Sequence, residues 1–474
     1  MNAKFVKRVG PLVGISAVAV VFASVALAQT DPIDAYVRNE MAKRHIPGLA
    51  FAIIKNNRVV KARNYGLANI EQNSHVSDRT TFEIASMTKQ FTAAAMLLLV
   101  QDGKVDLDAS VGKYVSGVPD SWRGITVRRL LNHTSGLRDD WDEDDDFFLT
   151  HKSDDEFLKA LVDRPLKFGP GERFSYSCGP FVAGMVIAKV SGMPYAAFMK
   201  ERIFDRLGMS STRINDPSAI VSGRAAGYVY RGGTLKNGVR ISPAAEARGD
   251  VGISTTVLDM AKWDAALNGT KFLKASSLKE MFGSAQLNDG STAPYGLGWF
   301  TAPARGHRAE WHSGGFRTGF SSSIDRYPDD HLTVIVLGNL QQGHVWSIGR
   351  ELAGFYIPEF RSLAAATPQP DLAPQQTERF KKLVISIADA KIDLAQTAAG
   401  FPSGFYDPED VRSGIEAMKA FTFVSCRKAG NRPRLFGERL SEICFYKIRT
   451  NEDQLISFWL TTDGKVIYID PYEY

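Results

Sequence analysis

A mixed α/β (α+β) fold with a second, smaller domain is expected from three observations. Strand-like apolar runs stand near both ends of the first 360 residues, helical patterns fill the space between them, and the composition shifts after Tyr356. With 474 residues the chain is too long for one ordinary core, so two or three domains are expected. Hydrophobic residues make up 44% and charged residues 23%, which a globular protein needs and a wholly disordered one lacks.

The first element is a targeting segment. Lys4, Lys7 and Arg8 precede an apolar run from Pro11 to Ala28, which closes on the small-x-small pattern Ala26-Leu27-Ala28. A signal peptide over residues 1–28 is expected, cleaved after Ala28, with a periplasmic or secreted mature protein. An uncleaved anchor is the alternative, but Pro11, Gly14 and Ser16 interrupt a run already short for a span. No later stretch is long and apolar enough to cross a bilayer. The formal charge is +5; Lys4, Lys7 and Arg8 supply three of these, leaving +2 and no argument for a nucleic-acid partner.

Next comes a hairpin. Leu49 to Ile54 is apolar, Asn56-Asn57 supplies a turn, and Val59-Val60 begins the return. Strand-like runs recur at Gly298 to Phe300, Gly319 to Arg326 and Leu332 to Leu337, with helical patterns such as Lys89 to Gln101 and Phe181 to Val190 between. Chain start and chain end are therefore expected to meet in one sheet, with a mostly helical cap from the middle. This main domain is assigned to residues 29–360.

Residues 361–376 read as a linker, since Ala364 to Gln376 is rich in Ala, Pro and Gln. A small α+β accessory domain is assigned to 377–474: a helix over Glu378 to Leu394, then strands at Phe421 to Arg427, Ile443 to Ile448, Leu455 to Leu460 and Val466 to Ile469, with Asp463-Gly464 as a hairpin turn. The three cysteines are Cys178, Cys426 and Cys444. Outside the cytoplasm Cys426 and Cys444 can pair, or both can stay reduced and buried. No Cys-x-x-Cys or His-Glu-x-x-His pattern occurs, so neither a metal nor another cofactor is expected.

The chemistry centres on Ser86-Met87-Thr88-Lys89, which opens the apolar run Phe91 to Val100. Residues i and i+3 share a helix face, so Ser86 and Lys89 can touch. A serine hydroxyl attacks well only when a neighbour takes its proton. A lysine does so when burial and nearby positive charge bring its pKa down from about 10.4. Taken alone, the pattern fits a Ser N-cap with a solvent-directed lysine better than a nucleophile.

Two further sites accompany it. Phe168 to Cys178 is a Pro/Gly turn leading to Tyr176-Ser177, and His312-Ser313-Gly314-Gly315 lies between strand-like stretches. With Leu130-Leu131-Asn132-His133-Thr134-Ser135-Gly136-Leu137, Leu207-Gly208-Met209 and Tyr295-Gly296-Leu297-Gly298-Trp299, these motifs occur in an order and spacing that resemble the serine β-lactamase and penicillin-binding-protein superfamily. The likeness is to its class C β-lactamase, DD-peptidase and esterase branch, over about Asp31 to Pro358. The resemblance implies a β-lactamase/transpeptidase-like antiparallel sheet flanked by helices. It also implies catalytic roles for Ser86 as the acylated nucleophile, Lys89 as its proton partner and Tyr176 as a partly ionised phenol that shuttles the proton. The N–H groups of Ser86 and Gly315 would form the oxyanion hole, and His312, Ser313, Gly314 and Cys178 would line the substrate site.

Two departures bear on substrate. The family's Tyr-x-Asn is here Tyr176-Ser177-Cys178, and a thiol replaces an amide with a weak donor and acceptor. Its Lys-x-Gly is here His312-Ser313-Gly314, which exchanges a permanent charge for a side chain mostly neutral at pH 7. Both changes favour small-molecule ester or D-amino-acid peptide or amide substrates, of cell-wall or other origin, over rapid β-lactam destruction. A weak β-lactamase or DD-peptidase and a catalytically silent binding protein are the alternatives. The run Asp139 to Asp146 holds seven acids in eight positions, lacks the glycine and closing glutamate of a calcium loop, and reads as a solvated rim. His133, inside a polar turn, is assigned a structural role because Lys89 already fills the place of base.

Overall fold

The computed structural model describes residues 31–138, 153–304, 307–360, 369–371, 373–406, 408–429, 435–436, 438–449 and 453–473. The expected signal peptide and the acidic run lie outside them, as does most of the expected linker. Pro374 to Gln376, assigned to that linker, belong instead to a helix: proline at its start needs no intrahelical N–H partner.

Six strands form the main sheet: β1 (Gly48–Lys55), β2 (Arg58–Asn69), β3 (Ser74–His75), β4 (Glu310–Phe316), β5 (Phe320–Tyr327) and β6 (Leu332–Gly338). Their order is β4-β5-β6-β1-β2-β3, every neighbour antiparallel. The β1–β2 turn is Asn56-Asn57 with φ of +51° and +61°, the left-handed pair that a two-residue hairpin turn requires. Chain start and chain end meet where β1 pairs with β6, Leu49 opposite Gly338 and Lys55 opposite Leu332.

The continuous apolar run of β1 has a simple cause: both of its faces are covered. Ala50, Ala52 and Ile54 join one core with helix α2 (Thr88–Gln101), while Leu49, Phe51 and Ile53 join another with α1 (Pro32–Lys43). α3 (Gly179–Ser191) and α4 (Val257–Leu267) pack in the first core, α5 (Val345–Ala353) in the second. α2 is buried from Thr88 through Leu99, so it runs through the centre of the domain and has no solvent face over that length. The expected strand at Gly298 to Phe300 does not form. That segment folds back on itself through Gly296 N–H to Trp299 O at 2.7 Å, and Phe300 makes only isolated bridges to Tyr295 and Trp311.

The accessory domain has α6 (Pro374–Ala388) and the antiparallel strands β7 (Ala420–Lys428), β8 (Leu440–Arg449), β9 (Asp453–Thr461) and β10 (Val466–Glu473), joined in sequence order. Cys426 and Cys444 face each other across β7 and β8 and are disulfide-bonded, which settles the pairing that the sequence left open. Cys178 is buried and lies outside the disulfide.

Candidate active site

Ser86 does not open α2 itself; it sits in the 3₁₀ turn Ala85–Met87 immediately before it. Ala85 is held at φ +45°, a conformation costing a non-glycine residue on the order of 1–3 kcal/mol. The surroundings hold the turn in place: Ile84 N–H bonds to Ile253 O at 2.9 Å, and the Ser322 hydroxyl donates to Ile84 O at 2.8 Å. The result leaves Ser86 partly exposed between two buried neighbours, Ala85 and Met87.

One turn on, Lys89 is 2% exposed. Its Nζ lies 3.0 Å from Ser86 Oγ and donates to the Asp250 carbonyl oxygen at 3.1 Å. It also stands 4.8 Å from the centre of the Tyr176 ring. The hydroxyl, the amine and the phenol ring are thus gathered in one cleft from two separate stretches of chain. Asp250 is a participant that sequence reasoning missed, because its contribution is a backbone oxygen. Its carboxylate is paired bidentately with Arg248, at 3.0 and 2.6 Å, in a pair almost wholly buried. Arg248 lies over the rings of Phe157 and Phe181, which fixes the segment against α3.

The opposite wall is β4. A Cβ on Gly314 would collide with the Ile84 carbonyl oxygen, so glycine is what lets this strand lie against the serine turn. The next residue, Gly315, faces open space. Ser313 is half-buried and lends its carbonyl oxygen to the neighbouring imidazole.

His312 is 1% exposed, and both of its ring nitrogens are engaged by the protein. Nδ1 lies 2.6 Å from Ser313 O, which can only accept, so Nδ1 carries the proton. Burial, with the Lys89 charge nearby, brings the His312 pKa down to about 3, so near neutrality the ring is uncharged and Nε2 is an acceptor. The Tyr295 hydroxyl, 3.0 Å away, therefore donates to Nε2. At the other end, Ser177 N–H donates to His133 Nδ1 at 3.1 Å, which places the His133 proton on Nε2, 3.3 Å from the Tyr295 oxygen. One-way hydrogen bonds thus run from Ser177 through His133, Tyr295 and His312 to Ser313. Burial and the Lys89 charge also hold His133 well below the usual histidine range, while burial pushes Tyr295 well above the usual phenol range. All three rings remain neutral near pH 7.

This arrangement amends two expectations. The His312 imidazole braces the wall of the site rather than offering a nitrogen to substrate. Cys178 is 1% exposed in the main core, caps α3, and donates its thiol to Arg138 O at 3.3 Å. A small, weakly polar side chain suits that packed position. His133 has the structural role assigned from sequence and a partner, Tyr295, that sequence spacing did not supply. Its ring centre lies 4.3 Å from that of Tyr176.

A family model described as Beta-lactamase matches residues 33–353. Penicillin-binding protein 4* of Bacillus subtilis (strain 168) is 32% identical over 305 residues, 59% of this chain and 65% of the relative. Protein flp of Staphylococcus aureus (strain MW2) is 29% identical over 327 residues, 66% of this chain and 64% of the relative. The chain thus spans just under two thirds of the length of these relatives. Among solved structures, the octameric penicillin-binding protein homologue from Pyrococcus abyssi superposes with a TM-score of 0.62 at 22% identity, covering 92% of this chain and 99% of that one. The penicillin binding protein from Bacillus halodurans gives 0.57 at 25% identity, covering 66% and 95%. The fold, the motif order and these matches agree, and the chain belongs to the β-lactamase family, within the serine β-lactamase and penicillin-binding-protein superfamily of serine hydrolases.

Proposed function

We propose that this protein is an exported hydrolase that forms an acyl-enzyme on Ser86 and acts on ester or D-amino-acid peptide or amide substrates. The observation that carries the reading is the 3.0 Å approach of Lys89 Nζ to Ser86 Oγ beneath the Tyr176 ring. Ser86 Oγ attacks the substrate carbonyl, and its proton passes to the Lys89–Tyr176 pair. The Ser86 and Gly315 N–H groups receive the developing oxyanion, and the same pair returns the proton to the leaving group. Water then repeats the sequence on the acyl-enzyme and frees the acid.

The substrate preference rests on His312. A neutral, fully engaged imidazole supplies no charge for the carboxylate that a β-lactam or peptide C-terminus presents, so esters are the better substrates. The disulfide Cys426–Cys444 supports an oxidising compartment, in accord with the signal-like segment over residues 1–28. The names of the relatives favour a second reading, in which penicillin acylates Ser86 and the natural substrate is a cell-wall D-peptide. Turnover of a short-chain nitrophenyl ester and of nitrocefin, each with Ser86→Ala as control, separates the two. Ester hydrolysis lost in Ser86→Ala, with slow nitrocefin turnover, is the expected result. Rapid nitrocefin hydrolysis supports the second reading, and ester turnover equal in both proteins rejects Ser86 as the nucleophile.

A further inference from the structure

The accessory domain touches the site's aromatic wall from two sides. Its turn Ser403–Phe405 docks on the loop that ends in Tyr176: Phe174 N–H donates to Gly404 O at 2.8 Å, and the Phe405 and Phe174 ring centres are 5.2 Å apart. Gly404 lies so close that a Cβ there would collide with Leu287 and touch Arg173. Phe174 in turn packs against His133 and Tyr295, with ring centres 5.9 and 5.5 Å away, and Ser175 N–H bonds to His133 O at 2.9 Å. On the other side, Ala302 is buried in the accessory domain's own core. Two residues earlier Phe300 lies parallel to the Tyr176 ring, 6.4 Å away, and stacks on Trp311 at 4.3 Å.

The docking turn is itself anchored. The Tyr406 hydroxyl donates to Ile469 O at 3.0 Å and accepts from Ile469 N–H at 2.9 Å, tying the turn to β10. The loop bearing Tyr176 thus reaches the accessory sheet through one backbone hydrogen bond and a run of packed rings.

We infer that Phe405 and Gly404 are positioning residues: the accessory domain acts through them to hold Tyr176 over Lys89. The inference rests on the hydrolase reading above for its consequence in rate, but not for its consequence in structure. Reacting groups displaced by about 1 Å lose rate on the order of a hundredfold, and loosening one side of a held loop is a smaller disturbance. Phe405→Ala in the full chain is therefore expected to lower kcat for a nitrophenyl ester, and the rate of Ser86 labelling by a fluorophosphonate, by roughly tenfold, with KM within about twofold. Phe405→Tyr, which keeps the ring, returns both to within about twofold.

Phe423, an accessory-domain ring packed on Tyr446, gives the control. Phe423→Ala is expected to lower thermal stability with the labelling rate within about twofold of the parent. Amide hydrogen exchange over residues 172–178 should be faster in Phe405→Ala and in Gly404→Val, and unchanged over α2. Labelling at the parent rate, with exchange over 172–178 unchanged in either variant that folds, overturns the inference. If the parent protein takes no label, the hydrolase reading fails while the exchange comparison still decides whether the clamp exists.

Discussion

The two walls of the cleft are built on different plans. On one, Ser86 in its 3₁₀ turn and Lys89 at the head of a buried helix stand three residues apart, and their 3.0 Å approach is local in the chain. On the other, Tyr176, His133, Tyr295 and His312 come from four separate stretches and meet only because the fold brings them together. In the proposed mechanism the local wall supplies the nucleophile and its proton partner. The assembled wall keeps buried imidazoles neutral and braces the phenol. On that proposal local geometry carries the reaction, and long-range geometry sets the conditions under which it runs.

The largest effect should come from the local wall. Lys89→Met removes the group beside Ser86 and is expected to cut kcat/KM for an ester by 10²–10⁴-fold, the ordinary range for a general base. Circular dichroism should stay unchanged. A loss below about tenfold would move the proton acceptor elsewhere, with Tyr176 the next candidate.

On the assembled wall, Tyr295→Phe leaves His312 Nε2 and His133 Nε2 without their shared partner. An unsatisfied buried polar group costs about 1–3 kcal/mol, so the urea midpoint should fall accordingly. Activity should drop less than in Lys89→Met. If Tyr295→Phe proved the more damaging of the two to catalysis, the division between the walls would be wrong.

A pH dependence follows from the same wall. His312 binds its proton with a pKa near 6.5 when unfolded but about 3 when folded. Below about 6.5 the unfolded state therefore holds a proton that the folded state lacks, and stability falls as pH drops towards about 3. Full stability is present above that window. The loss is at most roughly 3–5 kcal/mol from this ring. His312→Gln should make the curve of unfolding free energy between pH 6.5 and 4 shallower, with the remaining slope from His133, which burial also holds low; a curve as steep as the parent's would place the titrating group elsewhere.

A smaller effect on rate is expected where the two walls meet the rest of the core. Asp250→Asn leaves Arg248 with its charge buried and costs about 3–5 kcal/mol of stability. The carbonyl oxygen that accepts from Lys89 is still present. Ester turnover by the folded fraction should change by less than about tenfold, since only the orientation of that oxygen is disturbed.

This contrast also explains what could be read before the structure. The hairpin at Asn56-Asn57 and the closure of the sheet by chain start and chain end follow from apolar patterning. The four accessory strands lie where the apolar runs placed them, because short runs bounded by turn residues form strands in any antiparallel setting. Ser86 and Lys89 were legible as a local pair. Asp250 left no trace, since a backbone carbonyl has no residue type, and the part played by Tyr295 depends on a partner 162 positions away. His312 was legible as neutral but not as engaged at both nitrogens. Gly298 to Phe300 carries strand-like residues, yet a local backbone bond folds it back, a tertiary choice that composition does not reveal.

In the proposed mechanism Ser86 is the group that becomes acylated, and Lys89 makes it reactive. Intact-mass measurement after brief exposure to a fluorophosphonate, followed by peptide mapping, tests it most directly. One adduct on the peptide containing Ser86, slowed at least a hundredfold in Lys89→Met and gone in Ser86→Ala, is the predicted result. An adduct that persists in Ser86→Ala, or forms as fast without Lys89, would contradict it.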